Sequence, residues 1–190
     1  MKVKVKFADD EVKELYLKAS DSKSIFPFKT YDNDFCYDVV ATSCEEVAPN
    51  IYKYGLGLAF QIERKTEKIC CGKAIMGIDF EGKRTVMDIE KDTFVNFQYS
   101  DLNLSIDFRP RSSVWQTGMV LSNCEGTIDE LYTGEVSAVF YHIMPNMPKY
   151  EVGDRIGQIK IGVTFPIEFI EVEELDKTAR GEGGYGSTGR

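Results

Sequence analysis

The sequence predicts one all-β domain of the sandwich, barrel or jelly-roll kind, and two observations carry that expectation. Apolar and polar residues alternate, as Val3, Val5 and Phe7 do against Lys2, Lys4 and Lys6, and as Leu102, Leu104, Ile106 and Phe108 do against Asn103, Ser105 and Asp107. A period of two turns one strand face inward. Short extended stretches also recur between Gly, Pro and Asn, without the intervening helices that βαβ units require.

Taken in order, Lys2–Phe7 is the first expected strand, and residues 9–24 read as a loop or a short helical turn. Phe26-Pro27-Phe28 interrupts any helix, since proline lacks an N–H and pushes its predecessor into extended backbone. Further strands are expected at Gly55–Ile62, Leu102–Phe108, Val136–Ile143, Arg155–Val163 and Ile167–Val172. Between Ile62 and Asn103 lie a charged piece (Glu63–Lys68), the pair Cys70-Cys71, a hairpin turn at Phe80–Arg84 and a strand at Thr93–Tyr99. No internal repeat is evident.

Composition removes several function classes. At 190 residues, with 43% hydrophobic and 28% charged, the chain can bury one core without disulfides. No apolar run approaches about 18 residues and the start lacks a signal-peptide core, so a protein without membrane contact, in the cytoplasm (a host cell's, if viral), is expected. The 5 cysteines are odd in number and show no ligand spacing, which reads as reduced thiols. The 1 histidine, His142, sits in an apolar stretch as a strand residue with a satisfied ring, so no multi-histidine metal site exists. A net charge of −8 disfavours binding to nucleic-acid backbone. An anionic small substrate would need local arginines and a divalent cation.

Three polar constellations remain. In Pro110-Arg111-Ser112-Ser113-Val114-Trp115-Gln116-Thr117-Gly118, serine would cap a short helix ended by Gly118, and its N–H groups beside Arg111 suit an anion as well as a plain capped turn. Asp129 lies among turn residues, three positions before Tyr132. The tail Arg180–Arg190 is rich in glycine; it lacks the GK[ST] ending of a P-loop, and it suits either plain flexibility or a phosphate-closing flap.

In this order, these segments resemble the five motifs of the trimeric dUTPase family. Asp34–Ala41 is similar to AGYDLxA, Pro110–Ser113 to PRSG, and Asn123–Glu135 to NxxGxIDxxYxGE. Gly153–Gln158 is similar to GxRIAQ, and Arg180–Gly189 to RGxGGFGSTG. The resemblance implies a β-clip, a distorted jelly-roll, assembled as a homotrimer with active sites between subunits. Residues 1–178 would form the β domain, with an atypical insertion at about 63–103, and 179–190 a flap over a neighbouring subunit's site.

The implied reaction is hydrolysis of dUTP to dUMP and pyrophosphate. Asp129 would orient and deprotonate the water that attacks the α-phosphorus. Arg111, Ser112, Ser113 and Gln158 would hold the α- and β-phosphates; Arg180, Gly186, Ser187 and Thr188 would close on the γ-phosphate. Asn123 and the backbone at Thr127 and Ile128 would select uracil, Tyr132 would pack under the deoxyribose, and Tyr185 would stack on the base. Mg2+ is the implied cofactor, with Asp38 holding its water shell from the second sphere.

Several letters depart from the pattern. Cys36 and Ser113 replace glycines, Leu131 and Thr133 replace an acidic residue and an arginine, and Tyr185 replaces phenylalanine. A dCTP deaminase of the same fold is the alternative enzyme, although its motif continues with Ala-Arg where Trp115-Gln116 stands here. A regulatory protein that binds a partner through the 63–103 insertion is the alternative of another class; an extra hairpin decorating the sheet is the simpler reading of that insertion.

Overall fold

The computed structural model describes residues 2–63, 73–78, 84–88 and 102–181. The flap residues Tyr185, Gly186, Ser187 and Thr188 lie outside the described residues, as do Cys70-Cys71, the expected strand at Thr93–Tyr99 and most of the charged piece and the turn of the insertion. The elements are β1 (Lys2–Phe7), α1 (Asp10–Ala19), β2 (Tyr37–Val40), β3 (Ser43–Ala48), β4 (Ile51–Gly55), β5 (Leu58–Glu63), β6 (Lys73–Ile78) and β7 (Arg84–Asp88). They continue with β8 (Asn103–Pro110), a 3-10 turn (Ser112–Thr117), β9 (Met119–Leu121), β10 (Gly126–Asp129), β11 (Ser137–His142) and β12 (Arg155–Thr164). Two four-stranded sheets, β10-β8-β12-β2 and β3-β4-β11-β9, are accompanied by the pairs β1-β5 and β6-β7. Every pairing among the described residues is antiparallel. The β6-β7 pair flanks the turn expected at Phe80–Arg84.

The two larger sheets share a core because alternate residues of each point inward. Leu104, Ile106 and Phe108 of β8 are buried, and the Phe108 ring meets Phe140 of β11 edge-on at 6.4 Å. Tyr54 of β4 continues the aromatic stack, 5.9 Å from Phe140 and 6.2 Å from Tyr150. Its hydroxyl donates to the Tyr150 carbonyl at 2.9 Å, so a polar tip is buried with a partner. His142 is a buried strand residue, as expected, and its Nε2 lies 3.0 Å from the Met147 carbonyl.

Three elements differ from the sequence reading. Residues 10–19 form a true helix, because the Asp9 side chain accepts the Val12 N–H at 2.9 Å and Val12 and Tyr16, one turn apart, are both buried. The expected strand Gly55–Ile62 is broken at Gly57, whose φ of +63° turns the chain; a Cβ there would come within 2.5 Å of the Val12 side chain. Ile167–Val172 forms no strand. After Thr164 the chain meets no strand edge among the described residues, and Phe165 and Phe169 stand 74% and 91% exposed.

Tyr16 ties the helix to the sheets. Its hydroxyl donates to the Leu56 carbonyl at 3.2 Å and accepts the Val40 N–H at 3.3 Å, and burial pushes its ionisation well above the usual tyrosine range. Opposite the core, the sheet β10-β8-β12-β2 carries a polar face. There Asp107 is buried, accepts from Ser105 Oγ at 2.7 Å and pairs with Lys160. Burial pushes the Asp107 carboxyl up, but hydrogen bonds from Lys160 and Ser105, and the charges of Lys160 and Arg109, hold it below its ordinary value.

Tyr16→Phe strands a buried N–H and a buried carbonyl, so it is expected to cost about 1–3 kcal/mol in a denaturant titration with unchanged slope. The lowered Asp107 contributes stability at pH values above the ordinary carboxylate range, and that contribution disappears as pH falls through its folded value. Denaturation midpoints measured from neutral to acid pH should therefore fall less steeply in Asp107→Asn than in the parent.

Candidate active site

The polar face is organised by Asp38, which is 3% exposed in β2. A buried carboxylate needs several donors to offset its lost hydration. Three side chains supply them: Gln158 Nε2 at 2.9 Å, Arg155 Nη1 at 3.3 Å and Arg111 Nε at 3.4 Å. Arg155 Nη1 also donates to Thr30 Oγ1 at 3.4 Å. These groups line a cavity of about 400 Å³ whose other wall includes Tyr31, Phe35 and Cys36. Asp34 also lines the cavity, so two carboxylates face two guanidiniums there, and the arginines and the Gln158 amide are the donors that could meet a phosphate chain.

Arg155 is the site residue that strand parity does not reveal. It lies three positions from Gln158, so simple alternation puts the two on opposite faces. The register against β2 shifts between Arg155 and Gly157, and this bulge brings both side chains to Asp38. Gly157 lets the strand pack closely there: with Phe108 as placed, a Cβ would come within 2.2 Å of its ring. The one signal for Arg155 was its place inside Gly153–Gln158.

The short helix expected after Pro110 is the 3-10 turn Ser112–Thr117, ended by Gly118 at φ 62°. The expected serine cap is not there. Arg111 occupies the N-cap position and no side chain caps the turn, because Ser112 is already its first residue. Thr117 Oγ1 donates to the Val114 carbonyl at 2.6 Å, and a Cβ on Gly118 would meet Met144 at 2.7 Å, so the turn is closed and packed. Arg111 reaches Asp38; Ser112 is exposed and Ser113 half-buried beside it in sequence.

A second hollow, of about 190 Å³, lies between β11 and the β9–β10 connection, which passes from one sheet to the other. Asn123, Thr127 and Ile128 line it together with Phe108 and Leu121, which matches the residues expected to hold a base. Cys124, at φ 54°, turns the tip of this connection between Asn123 and Gly126. Asp129 ends β10 with an exposed side chain, and its carbonyl accepts the Tyr132 N–H at 3.0 Å. The Tyr132 hydroxyl donates to the Glu135 carbonyl at 3.0 Å, which folds the ring over Gly134.

The chain does not bring its own two hollows onto one reacting atom. Asp129 pairs with Ser105, which pairs in turn with Gly162, whereas Gln158 pairs with Arg109 and Asp38. Two strand spacings across and four residues along separate Asp129 from Gln158 by about 16 Å. Arg180 is exposed near the end of the described chain, apart from either hollow's lining. Among the described residues no group of three or more His, Cys, Asp or Glu side chains could hold a metal, and no helix is long and apolar enough to cross a membrane.

Deoxyuridine 5'-triphosphate nucleotidohydrolase of Helicobacter pylori is 45% identical over 71 residues, covering 37% of this chain and 49% of the relative. That of Fusobacterium nucleatum is 41% identical over 86 residues, covering 45% and 59%. The chain thus spans about half to three fifths of the length of these relatives. In fold it is similar to the Staphylococcus bacteriophage 80alpha dUTPase solved with dUpNHpp (TM-score 0.56, 17% identity, 100% of this chain and 99% of that one). The dUTPase of phage phi11 of S. aureus is also similar (TM-score 0.52, 13% identity, 94% and 100%). The dUTPase family model matches residues 93–189, just over half of the chain and all but the first of the motifs above. The match covers more than half of the chain, and the chain belongs to the dUTPase family.

Proposed function

We propose that this protein hydrolyses dUTP to dUMP and pyrophosphate. The observation that carries the reading is the base-sized hollow at Asn123, Thr127 and Ile128 with the Asp129 carboxylate at its strand end. The names of the relatives support the same substrate. Uracil presents an amide-like edge, and the Asn123 side chain with the backbone of the β9–β10 connection supplies matching donors and acceptors. Cytosine would leave some of those groups unpaired, which is a strong basis for rejection.

Asp129 acts as general base. It takes a proton from water as the new oxygen–phosphorus bond forms at the α-phosphorus, while the bond to the pyrophosphate oxygen breaks. Arg111 and Gln158, held by Asp38, and the Ser112–Ser113 turn bind the phosphates and stabilise the charge that moves onto the leaving group. Tyr132 packs against the sugar. Arg180, Tyr185, Gly186, Ser187 and Thr188 close over the γ-phosphate and base.

Magnesium fits the donor set as an ion carried on the triphosphate: it prefers phosphate oxygens and retained waters, and the buried Asp38 carboxylate beside the cavity suits its outer shell. When bound, the ion neutralises phosphate charge.

The assembly we propose is a homotrimer, and this geometry supports more than one copy at each site. Asp129 and Gln158 of one chain stand too far apart to serve a single α-phosphate, so the base hollow of one copy must face the phosphate cavity of another. The apolar segment after β12, with Phe165, Phe169 and Leu175 exposed, supplies surface for a second copy to cover.

A nucleotide panel with pyrophosphate and ammonia readouts, run with magnesium and with chelator, tests the reading. Pyrophosphate from dUTP alone is expected, with magnesium required; ammonia from dCTP would replace this function with deamination. Asp129→Asn should lower kcat by about a hundredfold or more, and light scattering should give the mass of three chains.

A further inference from the structure

One ion pair, between residues that no motif letter specifies, ties the β9–β10 connection that lines the base hollow to the strand that leads into the phosphate turn. Arg109, the residue before Pro110, places Nε at 2.8 Å and Nη2 at 2.7 Å from the same Glu125 oxygen. Glu125 sits at the tip of that connection, between Cys124 in the left-handed region and Gly126. Its N–H also donates to the Asn123 carbonyl at 2.5 Å. The tip is therefore held twice, by the Glu125 side chain to β8 and by its amide to the backbone of the residue that reads the base. Both positions are free in the motif patterns: Glu125 falls on an unspecified letter of NxxGxID, and Arg109 precedes the Pro-Arg-Ser-Ser run.

We infer that Arg109 and Glu125 form a positioning pair that sets the pyrimidine selectivity of the hollow by holding Asn123 and the backbone of the connection in register with the base edge. This rests on the proposed dUTP hydrolysis and deepens it. The two side chains are 51% and 44% exposed, so the pair adds little to folding. Its effect belongs to binding, because a tip free to shift presents its donors and acceptors to uracil and cytosine with less discrimination. Asp129 lies four residues beyond Glu125, on the hydrogen-bonded part of β10, and keeps its place when the tip loosens.

The test uses the full chain as the parent, Arg109→Ala, Glu125→Gln and the charge exchange Arg109→Glu with Glu125→Arg. Each is measured for kcat and KM with dUTP and dCTP and for Tm. Either single variant should raise KM for dUTP about two- to fivefold, lower the preference for dUTP over dCTP, and leave kcat and Tm near the parent's. The exchanged pair should recover most of the KM. An unchanged KM and preference in both single variants, or a loss that follows Tm and is not recovered by the exchange, overturns the positioning role. If the parent itself does not turn over dUTP, the proposed function fails and the inference falls with it; a parent that works while its variants match it removes the inference alone.

Discussion

The buried carboxylate of Asp38 is the constraint around which the phosphate side of this molecule is arranged. An isolated charge in a protein interior is expensive, and it persists only where donors converge on it. Here Gln158 and Arg155 come from β12 and Arg111 from the turn after β8, so one side chain of β2 gathers parts separated by more than a hundred residues. With the donors held on an open hollow, little reordering is left to do when an anion arrives. The cost is local: the chain must bulge between Arg155 and Gly157, and residue 157 packs without a Cβ against Phe108.

Sheet register sets how far apart the two hollows stand. Asp129 and Gln158 occupy different rows of the same sheet, so under the proposed function a single chain offers the base hollow and the phosphate cavity to different substrates. The polar face between them is not empty space. Asp107, Lys160 and Ser105 form a satisfied network there, and Arg109 with Glu125 bridges the tip of the β9–β10 connection to β8. The face is thus a stiff frame, suited to presenting two half-sites at a set separation.

Much of the fold was legible in alternation. β1, β8, β11 and β12 lie within a residue or two of their expected limits, since strands with one buried face write that face into every second residue. The full helix Asp10–Ala19 was legible in two signals left unused: Val12, Leu15, Tyr16 and Ala19 recur at helical spacing and pack on the core, and Asp9 caps the first turn. The segment Ile167–Val172 misled for another reason. Its residues suit a strand, but a strand also needs an edge to pair with, which the described part of the chain does not supply. At the site, Asp38, Arg111 and Gln158 were legible as motif letters and do converge, as do Asn123, Thr127 and Ile128.

The sequence by itself determined the chemical inventory: one histidine in a strand, an acidic chain with Arg111, Arg155 and Arg180 inside motifs, and the order of five segments that marks the dUTPase family. Those are properties of residue identity and local spacing, which a linear reading preserves. Only the tertiary structure decided that Arg155 joins Gln158 at Asp38, that Arg109 grips Glu125, and that Asp129 stands apart from the phosphate donors. Each depends on register between distant strands, and a one-residue bulge reverses the face a side chain occupies without changing a letter.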